Sequence, residues 1–414
     1  MVNSKTLDFT LTFGLGGMAF ILVLLLFGTG LLMKFYYLPF PDKAYESILN
    51  LRSNILFGLF IRNVHYWSAN ILIIVAFLHL LRVFFTSAFH PPRQFNWVIG
   101  LFLFMIILFF NFTGYLLPWD QLSYWAITIC TGMMDYIPLI GKWMQESVRG
   151  GAEVGESTLS IFYSTHTALL PAALILVIPF HFWRVRRAGG LVIPSSPSDE
   201  SDKSHTQVNT LPDLILRELV AALVLIAVIF FISILFDAPL GDKANPGLSP
   251  NPTKAPWYFM GFQEILLHVH PLIAIFVIPL LIVLGLLSIA YGRYPASREG
   301  IWFVSLKGRS TAVVTFIIAL LVTPITIILD EYILDFTEWM PGLNQVISNG
   351  LVPLCIVLFG CFILYLLLIK KYSPDKNEKV QMVFIFFLTV FIIFTITGIW
   401  FRGIGMKLIF PFSI

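Results

Sequence analysis

Four histidines sit in two stretches that are otherwise apolar enough to cross a membrane. His65 and His79 lie 14 residues apart in RNVHYWSANILIIVAFLHLLRVFF, which runs from Arg62 to Phe85. On a helix that separation is roughly 21 Å along the axis and leaves the side chains about 40° apart, on one face. His166 and His181 repeat the device, 15 residues apart in THTALLPAALILVIPFHFWR, about 60° apart on their own helix. One histidine of each pair therefore falls towards each side of a hydrocarbon core about 30 Å thick. Polar groups at that depth are costly and usually functional. Imidazole is a good iron ligand. Two helices so equipped can clasp two flat macrocycles, one above the other, each held by a histidine on either side, and haem has that geometry. A single such histidine would more often be a satisfied polar residue inside a bundle; two matched pairs are poorly explained that way.

The elements that position these side chains must be membrane helices. The 414 residues are 58% hydrophobic and 12% charged, with mean hydropathy +0.86, where a soluble domain is about a quarter charged. The expected fold is all-α: a polytopic transmembrane bundle with a four-helix di-haem bundle in its N-terminal half. Nine spans are read at about 12–33, 63–85, 97–117, 166–183, 214–236, 269–291, 311–329, 350–369 and 381–401. The net charge of +3 is small and dispersed, which argues against nucleic acid. Cys130, Cys355 and Cys361 form no CxxC or CxxCH pattern, so no attached c-type haem and no iron–sulfur site is expected on this chain. The first apolar run is long enough to span and lacks a small-residue cleavage site, so no cleavable signal is expected.

Basic residues set the expected orientation. Connections on the N-terminal side carry Arg93, Arg184, Arg186, Arg187, Lys203, Arg217, Arg293, Arg298, Lys307, Arg309, Lys370, Lys371, Lys376 and Lys379. The opposite side carries an acidic patch at Asp330, Glu331, Asp335 and Glu338. The N-terminus is therefore expected to be cytoplasmic. In the first span Gly16 and Gly30 are 14 residues apart, the same step as His65 to His79. Small-residue packing would explain glycines here; their matched spacing would also leave room for two haem edges. Residues 118–165 form a long segment expected to hold short helices at the membrane surface. Residues 194–212, PSSPSDESDKSHTQVNTLP, read as a linker. It divides a haem module at 1–193 from a second module at 213–330, with two further helices and a tail at 331–414. Thr323-Pro324 suggests a kink, and the closing FRGIGM carries Arg402 just past the last span.

At these residues the chain resembles cytochrome b of the quinol-oxidising cytochrome bc complexes, and most of all the cytochrome b6f type fused to its subunit IV. The resemblance is carried by LGGMAFILVLLLFGTG with FYYLP, by IRNVHYWSANILIIVAFLHLLRV, by TGYLLPWDQLSYWA, and by RGGAEVGESTLSIFYSTHT. It covers 1–190 strongly, 211–330 moderately, and the later spans only loosely. It implies two non-covalent b-type haems: His65 and His166 would hold the outer one, His79 and His181 the cytoplasmic one. Arg62 and Arg82 match the arginines that pair with haem propionates; each lies three residues from a histidine, within reach of the same haem's rim. For Arg82, near a helix end, snorkelling to headgroups is the plainer alternative.

The resemblance also implies a quinol-oxidation pocket between a PWDQ segment, here Pro118, Trp119, Asp120 and Gln121, and a PEWY segment, here Pro256, Trp257 and Tyr258. The family's glutamate is replaced by Pro256 in KAPWY. Quinol oxidation sheds two protons, and a buried carboxylate of raised pKa would accept one. Glu264, six residues after Tyr258, is the candidate substitute, with Tyr258 assisting; local capping or pairing is its plainer role. The cysteine that carries the extra covalent haem of the b6f type aligns with Gly14, so no covalent haem c is expected. Arg186 and Asp213 match charged residues near a cytoplasmic quinone site. Tyr66 stands where the b6f branch has an arginine.

These readings converge on a cytochrome b subunit of a quinol:cytochrome c, or similar acceptor, oxidoreductase in a bacterial inner membrane, with menaquinol a candidate substrate. A Rieske-type iron–sulfur protein and a cytochrome c are implied as partners, and a dimer of complexes by resemblance. The rivals are a di-haem membrane anchor of another quinone-linked dehydrogenase, which would not need the PWDQ and KAPWY segments, and a haem-free transporter, which leaves the histidine pairs unexplained.

Overall fold

The computed structural model describes residues 2–3, 14–192, 207–208, 215–294 and 300–410. In chain order the helices are α1 (Leu15–Lys34), α2 (Ala44–Ser53), α3 (Gly58–Phe85), α4 (Gln94–Leu116), α5 (Gln121–Gly132), α6 (Gly141–Arg149), α7 (Glu156–Ser164), α8 (Leu170–Arg187) and α9 (Ile215–Leu235). They continue as α10 (Met260–His268), α11 (Ile278–Ala290), α12 (Leu306–Tyr332), the short α13 (Phe336–Trp339), α14 (Val352–Tyr372) and α15 (Lys376–Trp400). The described strands are a two-residue antiparallel pair, Val2–Asn3 with Gln207–Val208. Among the described residues nine helical segments are long and apolar enough to cross a membrane; each overlaps one of the nine expected spans. A helix meets that environment because it satisfies its own backbone polar groups where no water can.

Three of these segments contain a π-turn, at Thr165–Leu169, Ile273–Val277 and Ile347–Leu351. Each is followed two residues later by a proline: Pro171, Pro279 and Pro353. Proline lacks the N–H that an α-helix needs and its ring crowds the carbonyl four residues back. The π-turn is the local answer. Leu170 N–H bonds Thr165 O, Ile278 N–H bonds Ile273 O, and Val352 N–H bonds Ile347 O. The helix therefore continues through each proline, and the fourth span runs unbroken over 156–187, ten residues earlier than hydropathy alone suggests.

The chain forms two compact units. The first comprises residues 1–123, 154–244 and 298–302. In it α1 packs on α3, α4 packs on α8, and α3 joins α4, which makes a four-helix bundle around Leu22, Val64, Leu116 and Leu159, all nearly or fully buried. Helix α9 returns to this bundle: Asn63 Nδ2 donates to Ser233 O (3.0 Å) and Trp67 Nε1 to Phe236 O (2.8 Å). The compact units thus divide elsewhere than at the serine-rich linker.

The second unit comprises 124–153, 245–297 and 303–414. Its centre is α15, which packs on both α12 and α10, so the last span is an integral wall and not an appendage. Asp375 caps α15, and Glu378 in its first turn accepts from Ser305 N (2.9 Å) and Ser305 Oγ (2.7 Å) at the start of α12. Pro324 lies inside the continuous α12. The crossing of α10 and α15 is backbone-close: a Cβ on Gly261 would meet the Phe391 ring at 2.7 Å and Thr395 Oγ1 at 2.8 Å. Gly261→Val should therefore destabilise this unit by about 1–3 kcal/mol through overpacking, seen as a lowered melting temperature of the purified protein; unchanged melting would show that the two helices separate freely.

Candidate functional site

The four histidines occupy the first unit's bundle as two levels, and glycine is what lets them in. His65 and His79 project from α3, His166 from the π-turn, and His181 from α8. A Cβ on Gly30 would meet His65 Cε1 at 3.3 Å, and one on Gly16 would meet His79 Cε1 at 3.4 Å. On α4 the same holds for Gly114 against His166 (2.6 Å) and Gly100 against His181 (3.7 Å). Each histidine ring thus lies edge-on against the bare backbone of the helix packed beside its own. Sequence reasoning missed Gly100 and Gly114, although they repeat the 14-residue step of Gly16 and Gly30; the phenylalanine-rich run around them hides that step.

At the level of His65 and His166 the hydrogen bonds fix the tautomer. His166 Nδ1 lies 3.1 Å from Phe110 O and 3.2 Å from Thr113 Oγ1. A carbonyl only accepts, so Nδ1 carries the proton and Nε2 keeps its lone pair. His65 Nδ1 lies 2.9 Å from Thr29 Oγ1, whose own hydrogen goes to Leu25 O at 2.8 Å; the hydroxyl must then accept from the ring. The two ring centroids stand 6.3 Å apart at 63°. Two imidazoles bound to one metal from opposite sides, each at about 2 Å, put their centres roughly 6 Å apart. The donor set, the tautomers and the glycine cradles therefore fit a bis-histidine haem.

The second level differs. Residues 15 and 99, which precede Gly16 and Gly100, are Leu and Ile where the first level has Thr29 and Thr113. His181 Nδ1 is buried without a hydrogen-bond partner among the described residues. The π-turn also reconciles the two spacings. It inserts one residue into the turn that holds His166, so 15 residues on this helix match the 14 between His65 and His79.

The remaining candidates are distributed as follows. Arg62 is buried and donates to Ala238 O and Pro239 O, both at 2.7 Å, which occupies part of the guanidinium expected to face a propionate. Arg82 is buried three residues after His79. Arg186 lies in the last turn of α8, and Asp213 lies outside the described residues. Gly14 has φ 63° at the start of α1, a left-handed conformation that favours glycine. Pro118–Gln121 belongs to the first unit. Trp119 is buried at φ 54°, uncommon for a bulky residue, and is held there because its carbonyl accepts from Ala244 N (3.1 Å) while Asp120 Oδ2 accepts from Gly241 N (3.0 Å). Pro256, Trp257 and Tyr258 belong to the second unit, at a 3₁₀ turn over Trp257–Phe259. Gln263 ties this turn to α10 by accepting from Ala255 N (2.7 Å) and donating to Thr253 O (2.8 Å).

Glu264 departs from the expectation of a carboxylate with raised pKa. It is fully buried, and Arg402 clasps it: Nη2 to Oε1 at 2.6 Å, and Nε to both oxygens at 3.1 Å. His268 Nε2 is 3.3 Å from Oε1. Burial alone would push Glu264 up, but the His268 and Arg402 hydrogen bonds outweigh it and hold the carboxyl below its ordinary range. Arg402 also donates to Glu331 Oε2 (2.7 Å) and Met406 O (3.0 Å), and His268 Nδ1 meets Asp330 Oδ2 at 2.6 Å. Burial opposes charge on His268 too, yet the hydrogen bonds to Asp330 and Glu264 lift it to about 9.

Two outcomes follow from this geometry. Gly114→Ala must displace His166, so the purified protein should lose the haem absorbance of one level, whereas Gly100→Ala, with its looser contact, should keep both; equal haem content in the two variants would contradict the cradle. The raised His268 value should stabilise the fold fully below about pH 6.5, its unfolded value, and this contribution should disappear as pH rises through about 9. The melting-temperature difference between the natural chain and His268→Gln, measured from pH 6 to 10, should shrink over that interval.

Comparison with known proteins places this arrangement. The family model described as Cytochrome b/b6/petB matches residues 3–189. Cytochrome b6 of Prochlorococcus marinus strain MIT 9515 is 44% identical over 175 residues, 42% of this chain and 80% of that protein. Cytochrome b6 of strain MIT 9313 is 44% identical over the same shares. A solved chain of a hyperthermophilic respiratory Complex III shares the fold, with TM-score 0.65 over 93% of this chain and 90% of that one, at 21% identity. With its paired histidines, their glycine cradles and this kinship in hand, the chain belongs to the cytochrome b/b6 family.

Proposed function

We propose that this chain is the cytochrome b subunit of a bc-type quinol:cytochrome c, or similar acceptor, oxidoreductase. The observation that carries the reading is the His65–His166 pair, two imidazoles with protonated Nδ1 and open Nε2 whose ring centroids stand 6.3 Å apart. His65 and His166 hold one b-type haem, and His79 and His181 hold the other. When bound, the two haems supply one-electron carriers at two depths of the membrane. Gly16, Gly30, Gly100 and Gly114 set how near the axial rings come to the helix backbones. Arg82 places a guanidinium one turn from His79, suited to a haem carboxylate. With Gly14 at the position of the family's attachment cysteine, the set is two non-covalent haems.

Pro118–Gln121 in the first unit and Pro256–Tyr258 in the second each serve quinol oxidation on the outer side. The strained backbone at Trp119 and the Gln263 staple give each segment a fixed shape, as a site built for positioning needs. Glu264 takes the place of the absent PEWY glutamate as proton acceptor: among the described residues Oε2 accepts one hydrogen bond, from Arg402 Nε, and so keeps a lone pair for a proton. Arg186 and Asp213 serve a cytoplasmic quinone site. The complex sits in a bacterial inner membrane with the chain's N-terminus cytoplasmic, takes menaquinol as its candidate substrate, pairs with a Rieske-type iron–sulfur protein and a cytochrome c, and forms a dimer.

The test is a redox titration of the optical spectrum of the purified protein with a pyridine haemochrome assay. The expected result is two b-type haems at distinct potentials, both extractable with acid acetone. One haem, none, or a haem resistant to extraction would overturn the reading.

A further inference from the structure

The five side chains gathered around Glu264 form a chain of contacts that runs from the protein interior to its surface. Glu264 is wholly buried, the His268 side chain is 12% exposed, and that of Asp330 is 26% exposed. His268 bridges the two carboxylates, with Nε2 3.3 Å from Glu264 Oε1 and Nδ1 2.6 Å from Asp330 Oδ2. The groups facing its ring are Glu264 from its own helix, Asp330 from the end of α12, and Phe394 of α15, which stacks on it with centroids 5.9 Å apart. Arg402 stands behind Glu264 and is itself tied to Glu331. A purely structural role needs only the Arg402 clasp on Glu264. It does not need a histidine that reaches from that same carboxylate to a second, solvent-touching one. An imidazole between two carboxylates, at increasing exposure, is instead the arrangement that passes a proton.

We propose that Glu264, His268 and Asp330 form a proton-release path from the quinol-oxidation segment to the surface, with Arg402 fixing its buried head. The inference rests on the quinol-oxidation reading. The path carries one proton and no electron. The O–H bond broken on the quinol becomes an O–H on Glu264. His268, charged at rest, releases its Nδ1 proton to Asp330, and Asp330 yields it to water. The neutral ring, 12% exposed, passes to its Nδ1–H tautomer by proton exchange with water, and Nε2 then takes the proton from Glu264, which restores the carboxylate and the charged ring. Removing Arg402 would strip a buried carboxylate of its clasping cation, so its variants report on folding. Asp330, at the exposed end, gives the cleaner test.

The assembled complex, loaded with both haems, is assayed with a reduced short-chain naphthoquinol as donor and cytochrome c as acceptor from pH 5 to 10. The natural chain is compared with Asp330→Asn, Asp330→Glu and His268→Gln, with haem content and melting temperature measured on the same samples. The expected result is about a tenfold slower turnover near pH 7 in Asp330→Asn and His268→Gln, a displaced pH–rate limb, full haem content, and recovery of most of the rate in Asp330→Glu. Natural rates and pH profile in Asp330→Asn would overturn the path. So would slower rates with an unmoved pH profile and a lowered melting temperature, which mark a structural cluster. A natural complex that holds both haems yet does not oxidise the quinol would sink the quinol-oxidation reading itself, and the path with it.

Discussion

A histidine that is to bind metal inside a membrane must be neutral, must commit one nitrogen to the protein, and must keep the other open. That constraint organises the first unit. A charged ring at that depth would be expensive, and an unbonded Nδ1 leaves the tautomer undecided. Thr29 and the Phe110 carbonyl decide it for His65 and His166. The rings can reach those partners only because the neighbouring helices carry no side chain at Gly30 and Gly114. The pairing of α1 with α3 and of α4 with α8 follows from this, since each glycine helix must lie directly against the histidine helix it accommodates. The threonine one residue before each of these glycines then points its hydroxyl at the same ring. Two adjacent residues thus supply both the space and the hydrogen bond.

What could be read from the sequence is what depends on local periodicity. The nine spans, the paired histidines and the Gly16/Gly30 step all follow from residue types at helical spacing. Gly100 and Gly114 carry the same signal less visibly, because glycine between large apolar residues also serves ordinary helix packing. The π-turns were not legible: a proline in an apolar run is compatible with a kink, a break or an insertion, and only the hydrogen bond from Leu170 to Thr165 chooses among them. That choice matters, since it makes a 15-residue spacing equivalent to a 14-residue one. Least legible of all were the contacts of Glu264. Its partner Arg402 lies 138 residues away, and nothing local to FQEILLH or FRGIGM indicates that they meet. The residue types did mark both as unusual for their surroundings, a glutamate in a short apolar helix and an arginine just past a long one.

The histidine pairs of the first unit and the Glu264 cluster of the second meet the same difficulty, polar groups in a low-dielectric interior, in opposite ways. The first keeps its imidazoles uncharged. The second buries charge and compensates it: Arg402 is 2% exposed and Glu264 is fully buried, so each has exchanged hydration for the other. Such a pair is weak evidence for stability, because the desolvation cost can match the attraction. Its stronger consequence is geometric. Through Arg402 the residues after the last span are fastened to α10 and to the end of α12, with Glu331 Oε1 accepting from Leu408 N (3.3 Å) and Asn251 Oδ1 from Gly405 N (2.6 Å). The segment that carries Trp257 and Tyr258 begins between those anchors, since Lys254 Nζ donates to Ile399 O at the end of α15 (2.9 Å).

The cluster also carries unequal charge. With His268 protonated it holds three carboxylates, Glu264, Asp330 and Glu331, against two cations, Arg402 and His268. The uncompensated negative charge cannot rest at Glu264, which is sealed from solvent. It is tolerable at Asp330 and Glu331, whose side chains are 26% and 21% exposed and where solvent screens it. A proton arriving at the buried end would therefore be drawn outward, towards the net negative charge, and not held where it entered. The direction is set by where the chain can leave a charge unpaired, and that in turn is set by α12 bringing Asp330 and Glu331 to solvent while α10 keeps Glu264 from it.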